Sequence, residues 1–458
     1  MPGGGDDAII TVAGTYTVTL DVTVAMHSLT LGGSSGTQTL SNAGQTLQMN
    51  SASTVNANGV VNMSAGTLTL FNPSLTVSGT VNWSGGTIWY LAITSTGTMN
   101  LSGSADKTAA GTWLNAGTVT WTGTGNFTVS SIFPSFENQS GGNFNVQTDA
   151  TLGGTVFSTF LNDAGATFTK SVTTGTTTVI PDFQNSGTVS LQTGLLSSMG
   201  PSGYRQFAGA THLLGGNLST PALSAVISGG VLDGNGTFTG VELLVTSALP
   251  SFGQVNPGTS PGLINVVGMY SQNLSGTYNA EIGGLTPGTQ YDQISVTGTV
   301  TLAGFLNVSL IGGFTPAVGN QFVILNNGSA SPVTFSFAGY PEGTIITVGG
   351  VQLRISYIGG DGNDVVLTVV AAPGTPTPTP TSTPTNTPTP TMTPTGTPVT
   401  ATPTSTPTMT PSTTPAATPT STPVPGVSAA TIPTLGGWAL ILLGAALALL
   451  GLVVLRRL

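Results

Sequence analysis

A short phrase recurs through the first half of the chain: a turn holding glycine, then threonine, an apolar residue, a polar residue and a second apolar residue. It reads Ser78-Gly79-Thr80-Val81-Asn82-Trp83, Thr96-Gly97-Thr98-Met99-Asn100-Leu101, Ala116-Gly117-Thr118-Val119-Thr120-Trp121 and Ser186-Gly187-Thr188-Val189-Ser190-Leu191. Looser copies stand at Asn58-Gly59-Val60-Val61-Asn62-Met63 and Ala164-Gly165-Ala166-Thr167-Phe168. From Gly79 the spacings are 18, 20, 48 and 22, and a degenerate unit at Ser140-Gly141-Gly142-Asn143-Phe144 divides the long interval. Alternation of apolar and polar residues marks strands with one buried face. A period near 20 residues is one turn of a coil and too short for a propeller blade.

This repeat predicts an all-β parallel β-helix, or β-solenoid, over residues 1–240. Val81, Trp83, Val119, Trp121, Val189 and Leu191 point inward and stack on the next turn. Glycine supplies tight corners through positive φ. Asn115, Asn162 and Asn185, placed at corners, stack into amide ladders. With turns about 4.8 Å apart, roughly ten turns make a rod of about 50 Å. The competing arrangement is a sandwich of antiparallel hairpins, which the regular period and scarce hairpin dipeptides disfavour. Composition agrees with a coil: only 5% of the 458 residues are charged, Gly numbers 65, and apolar residues still make up 38%.

The run Ile227-Ser228-Gly229-Gly230-Val231-Leu232-Asp233-Gly234-Asn235-Gly236-Thr237-Phe238-Thr239-Gly240 resembles the β-helical passengers of bacterial autotransporters and filamentous-haemagglutinin-like adhesins. After a turn-dense break at 256–262, strand candidates fall at 263–267, 276–282, 293–296, 306–310 and 321–325. The segments 291–298 and 313–325 are similar to the end of such passengers. That resemblance implies a C-terminal β capping unit over 241–370 that buries the last open rung. Such a cap is expected physically, because an open rung is an exposed edge. Near its end, Gly359-Gly360-Asp361-Gly362-Asn363-Asp364 resembles one calcium-binding RTX nonapeptide. It makes Asp361, Asn363 and Asp364 candidate oxygen ligands, against the plainer reading of a turn before a last strand.

Residues 371–428 form a Thr/Pro-rich linker. Proline removes backbone donors and the hydroxylated residues supply no core, so this stretch is expected to be a disordered stalk sampling polyproline II. Fully extended, 373–425 would reach about 160 Å. Its serines and threonines are candidates for O-glycosylation. The final segment, 429–458, holds an apolar run from 438 to 455 that spans roughly 27 Å as a helix, enough for one transmembrane helix. Arg456 and Arg457 follow and place the body outside the cytoplasm. A buried C-terminal helix is the alternative for this run. The order Ile432, Pro433, Thr434, Leu435, then Trp438, the apolar run, Arg456 and Arg457 resembles the IPTL-CTERM sorting signal of bacterial envelope proteins, with Ala439 where that pattern has glycine. The resemblance implies recognition by an exosortase-type membrane transpeptidase and removal of the helix. A permanent membrane anchor would give the same topology. The opening residues 1–7 have neither a basic region nor an apolar core, so an entry signal is expected upstream.

Chemistry is sparse. Net charge is −9, becoming −11 once Arg456 and Arg457 leave with the tail, and six basic residues make no track for a phosphate backbone, which argues against nucleic acid. Absence of cysteine removes disulfides, thiolate catalysis and Cys-ligated metals. His27 and His212 have no flanking metal spacing, and no serine sits in a nucleophile elbow. No cofactor is implied. Asp149, Asp163 and Asp182, with Lys170 nearby, form the only carboxylate set worth testing for the acid–base chemistry of a polysaccharide lyase or hydrolase. Trp83, Trp89, Trp113 and Trp121 would stack on sugars if exposed, and belong to the core if they alternate inward. The expectation is a non-enzymatic structural or adhesive protein of the bacterial cell surface or extracellular matrix, contacting surface glycans or matrix polymers. A surface-displayed lyase or hydrolase on the same scaffold is the alternative.

Overall fold

The computed structural model describes residues 3–373 apart from 71–73, 131–135, 156 and 249–250. Within them every regular element is a strand. Alternating residues leave each turn with apolar side chains facing a common interior, and three short strands per turn stack on their counterparts in the next. The first ladder runs from Asp7–Ile10 through Ser28–Leu31 to Val300–Leu302. The second runs from Tyr16–Leu20 to Phe305–Leu310, and the third from Val24–Met26 to Gln321–Asn327. Pairing along all three is parallel, which excludes the hairpin sandwich. The result is a parallel β-solenoid of about 12 turns.

The repeat reads out as expected. Val81, Met99, Val119, Phe144, Phe168 and Val189 stack in one column, with Phe144 filling the degenerate unit. Trp83, Trp121 and Leu191 are fully buried beside them. Aromatic rings then pile up along the axis. Phe136 and Phe160 lie 5.0 Å apart at 6°, Phe160 and Phe183 5.1 Å apart at 12°, and Phe183 meets Tyr204 at 5.5 Å. Such pairs add about 0.5–1.5 kcal/mol each beyond area burial. Next to them runs a buried amide ladder: Asn115 Nδ2 donates to Asn138 Oδ1 at 2.7 Å, Asn138 to Asn162 at 2.8 Å, Asn162 to Asn185 at 2.8 Å, and Asn185 to Gln206 Oε1 at 3.3 Å.

Two expectations change. In the looser copies Gly141 and Gly165 take positive φ as expected, at 85° and 82°, but Gly79, Gly97, Gly117 and Gly187 do not. They are needed because a Cβ on Gly97 would lie 2.2 Å from Val77 O, and one on Gly117 2.3 Å from Gly97 O. Close stacking of turns, not corner geometry, demands them. The coil also does not end at 240. Gly230–Val245 is one strand running through that point, and Leu263–Gln272, Thr277–Ile282, Gln293–Val296 and Phe305–Leu310 continue the parallel ladders. Antiparallel architecture takes over only at Gln321–Asn327, which pairs with Asp364–Ala371. That strand in turn pairs with Val351–Gly359, and Val351–Gly359 with Ile345–Val348. Here Tyr278 Oη donates to Ile324 O at 2.8 Å and Tyr357 Oη to Tyr340 O at 2.6 Å, tying this small sheet over the final turns.

Candidate functional site

The three ladders differ outside. On the first, outward positions mix Leu114, Glu137, Leu161, Gln184 and Arg205. On the second, the turns stack hydroxyls and amides: Asn62, Asn82, Asn100, Thr120, Asn145 and Thr169 stand one above another. Two residues earlier in the strands, Thr80, Thr98, Thr118, Asn143, Thr167 and Thr188 make a parallel column. Asn82 Nδ2 donates to Asn62 Oδ1 at 2.9 Å and Asn100 Nδ2 to Asn82 Oδ1 at 2.8 Å. A cleft of about 280 Å³ lies along this part of the column, lined by Ser41, Asn62, Asn82, Ser84 and Ser102.

Farther along, the column changes character. Ser190, His212 and Asp233 occupy three successive turns, and His212 Nδ1 lies 2.6 Å from Asp233 Oδ1. That hydrogen bond raises the His212 pKa above its ordinary value, outweighing the effect of burial. Serine, histidine and aspartate in this order invite comparison with a nucleophilic triad. Yet the strand backbone there is engaged in the parallel ladder, as in Gln192 N to Lys170 O at 2.9 Å, so it offers no ready oxyanion donors. Asp233 and Asn256 then open into a second cleft of about 230 Å³ with Ser260, Asn279, Glu281 and Asp292. Asp292 is 1% exposed. Burial pushes its pKa up to about 7, although Gly262 N at 2.7 Å and Glu281 N at 2.9 Å favour the charged form. Ser260 Oγ donates to Glu281 Oε2. This acidic cleft escaped the sequence reading because its members come from three successive turns and from the loops that follow them.

The three carboxylates singled out in the sequence, Asp149, Asp163 and Asp182, have separate partners, and Lys170 lies beside one of them. Asp149 pairs with the buried Lys170 at 3.1 Å. Asp163 is raised in pKa by burial and by its hydrogen bond with Glu137. Asp182 accepts from Gln184 Nε2 at 2.9 Å and from Ser202 N at 3.1 Å. Trp83, Trp113 and Trp121 belong to the core, while Trp89 is exposed beside Tyr90. His27 bonds Asp7 at 2.8 Å on the first turn.

Asp361, Asn363 and Asp364 form the tight turn of the hairpin joining Val351–Gly359 to Asp364–Ala371. Asp364 Oδ1 accepts from Asn327 N at 2.8 Å, and Asn363 Nδ2 donates to Ser331 O at 3.2 Å, so two of the three pin the 327–331 segment to the hairpin. Among the described residues no group of three or more histidine, aspartate or glutamate side chains is placed to hold a metal ion. No helix among them is long and apolar enough to cross a membrane. The stalk from 374 onward, the apolar run at 438–455 and the residues Ile432, Pro433, Thr434, Leu435, Trp438, Arg456 and Arg457 lie outside the described residues.

Residues 430–457 match the IPTL-CTERM motif. No curated protein matches the chain, and the likeness of its body to autotransporter passengers rests on the quoted residues alone. The motif is a sorting signal, and it marks a β-solenoid body for export to the cell surface.

Proposed function

We propose that this chain is a non-enzymatic structural or adhesive protein of the bacterial cell surface or matrix, delivered by exosortase-type processing of a C-terminal membrane-spanning tail. The observation that carries the reading is the sorting motif joined to a rigid rod with a long uncharged outer face. A rod of stacked turns presents the same chemistry over many repeats, which suits attachment better than turnover. Replacing Ile432, Pro433, Thr434 and Leu435 by alanine tests delivery. Tail cleavage and exposure to added protease on intact cells are expected to stop; unchanged cleavage and exposure would defeat the sorting part.

The cleft holding Asp233, Glu281 and Asp292 keeps a second reading alive, a polysaccharide hydrolase or lyase. A buried carboxyl with pKa about 7 suits a general acid. Release of new reducing ends or unsaturated products from a polysaccharide by wild type, abolished in Asp292→Asn, would favour this enzyme over the adhesive rod.

A further inference from the structure

We infer that the outer face of the second ladder, from Asn62 to Ser190, is a binding track for one extended, neutral β-linked polysaccharide chain lying along the rod axis. The inference rests on the adhesive reading and names its ligand class and its face.

The side-chain inventory narrows the partner. The outward positions of the strands Thr80–Trp83, Thr98–Leu101, Thr118–Trp121, Asn143–Val146, Thr167–Lys170 and Thr188–Leu191 carry only Thr, Asn and Ser. Without basic residues the face cannot follow phosphates. Val60, beside Asn62 at the start of the track, is its one outward apolar residue, so the face lacks the desolvated core on which protein partners dock. What remains is a lattice of groups that both donate and accept hydrogen bonds, the same chemistry a sugar hydroxyl offers.

The spacing narrows it further. Turns lie about 4.8 Å apart, close to the advance of one sugar in an extended β-linked chain. A chain along the axis therefore meets two hydrogen-bonding side chains of this face at each turn: a hydroxyl and an amide at Thr80/Asn82 and Thr98/Asn100, two hydroxyls at Thr118/Thr120, Thr167/Thr169 and Thr188/Ser190, and two amides at Asn143/Asn145. Asn62, Asn82 and Asn100 are fixed before any ligand arrives, because each amide bonds the next. Each link uses one of the two N–H donors of Asn82 or Asn100. Side chains held in place lose less entropy when a ligand binds. At the first turns of the track, the cleft bordered by Asn62, Asn82, Ser84 and Ser102 gives the chain a recess in which to lie.

The test uses the purified full chain with insoluble cellulose and insoluble chitin, and soluble oligosaccharides of each as competitors. Wild type is expected to be retained on at least one polymer. Competition should strengthen stepwise from monosaccharide to hexasaccharide, because each sugar engages another turn. Thr98→Lys with Thr120→Lys should lower retention about tenfold, while Gln184→Lys on the first face leaves it unchanged, with all three proteins melting at the same temperature. Should the lysine pair alter melting, the length dependence in wild type decides alone. The track is overturned by absence of retention on both polymers, by a monosaccharide competing as well as the hexasaccharide, by equal loss in Gln184→Lys, or by capture on ice in place of either polymer. Protease accessibility on cells, scored in parallel, separates the cases: a delivered chain that binds no polymer removes the track and leaves the surface reading standing.

Discussion

Two amide ladders run through this molecule, one inside the coil and one outside, and the same turn spacing builds both. Inside, Asn115, Asn138, Asn162, Asn185 and Gln206 are 0–1% exposed and their spare valences go to backbone: Asn162 Nδ2 also reaches Thr188 O at 3.1 Å, and Asn185 Oδ1 accepts from Gly187 N at 3.1 Å. Outside, Asn62, Asn82 and Asn100 bond one another and leave the rest of each amide to solvent. Identical chemistry thus holds the corner of the fold together in one place and offers itself to a partner in the other. Location relative to the wall, not residue type, decides the role. The interior variants below are expected to register in stability and the exterior one in binding.

The largest effect belongs to the interior stack. Phe160 meets Phe136, Phe144, Phe168 and Phe183, all within 5.5 Å between centroids. Phe160→Ala should cost about 3–5 kcal/mol, read as a lower denaturant midpoint, because the rigid stack cannot collapse into the void. Repeat proteins unfold with limited cooperativity, so the change should appear in the transition that includes residues 136–183. A loss below about 1 kcal/mol would mean that the column relaxes as a fluid core would.

Asn162→Ala comes next. It removes the acceptor of Asn138 Nδ2 and the donor to Asn185 Oδ1. Both neighbours retain a backbone bond, so the expected cost is about 2 kcal/mol and not the sum of two orphaned groups. Asn162→Asp should be worse, since it buries a charge with no cation beside it. Thermal melts of the pair order these outcomes; an aspartate as stable as the wild type would mean that the corner admits water.

How much of this could be read from residues alone follows from the regularity of the turns. The Thr-apolar-polar-apolar phrase is periodic enough to place Val81, Trp83, Val119 and Trp121 inside, and Asn115 and Asn185, three residues before it, with Asn162 five before, announce the corner ladder. The acidic cleft was hidden because turn length drifts: Leu75 pairs with Leu91, whereas Tyr270 pairs with Val300. Counting a fixed period therefore cannot bring Asp233, Glu281 and Asp292 together, nor show that Asp163 meets Glu137. The glycine at the head of each phrase was legible as essential, but its reason was not. Only stacked coordinates show a carbonyl of the preceding turn where its Cβ would stand. The antiparallel sheet at the end was expected as a cap, and the parallel strands before it looked like part of that cap because their alternation is the same.

Asp292 sits between the two classes, buried yet lining a cleft, and it sharpens the comparison through pH. Burial raises its pKa from 3.8 to about 7, so between these values the folded chain holds a proton that the unfolded chain has lost. Stability should therefore fall as pH rises from about 4 to about 7, by at most about 1.4 kcal/mol per unit for one group, and level off above. Asp163, raised by burial and by Glu137, and His212, raised by its hydrogen bond to Asp233, slope the same way. The informative quantity is thus the difference between wild type and Asp292→Asn in urea midpoints across that range. The variant should show the shallower slope whatever its absolute stability. Parallel slopes would mean that the two backbone donors keep Asp292 charged throughout.

The smallest stability effect is expected from Asn82→Ala, and its smallness is the point. The side chain lies on the outer surface of the strand Thr80–Trp83, its neighbours Asn62 and Asn100 can turn to water, and no buried group loses a partner. Exposed substitutions of this kind stay within about 0.5 kcal/mol. The interior counterpart Asn162→Ala removes a similar pair of amide bonds and should cost several times more, because those bonds are buried and no water replaces them. Denaturant midpoints of the two variants measured side by side test this directly. Equal losses would mean that the outer ladder helps hold the turns together, and it would then be a clamp on the coil and not a surface kept ready for a partner.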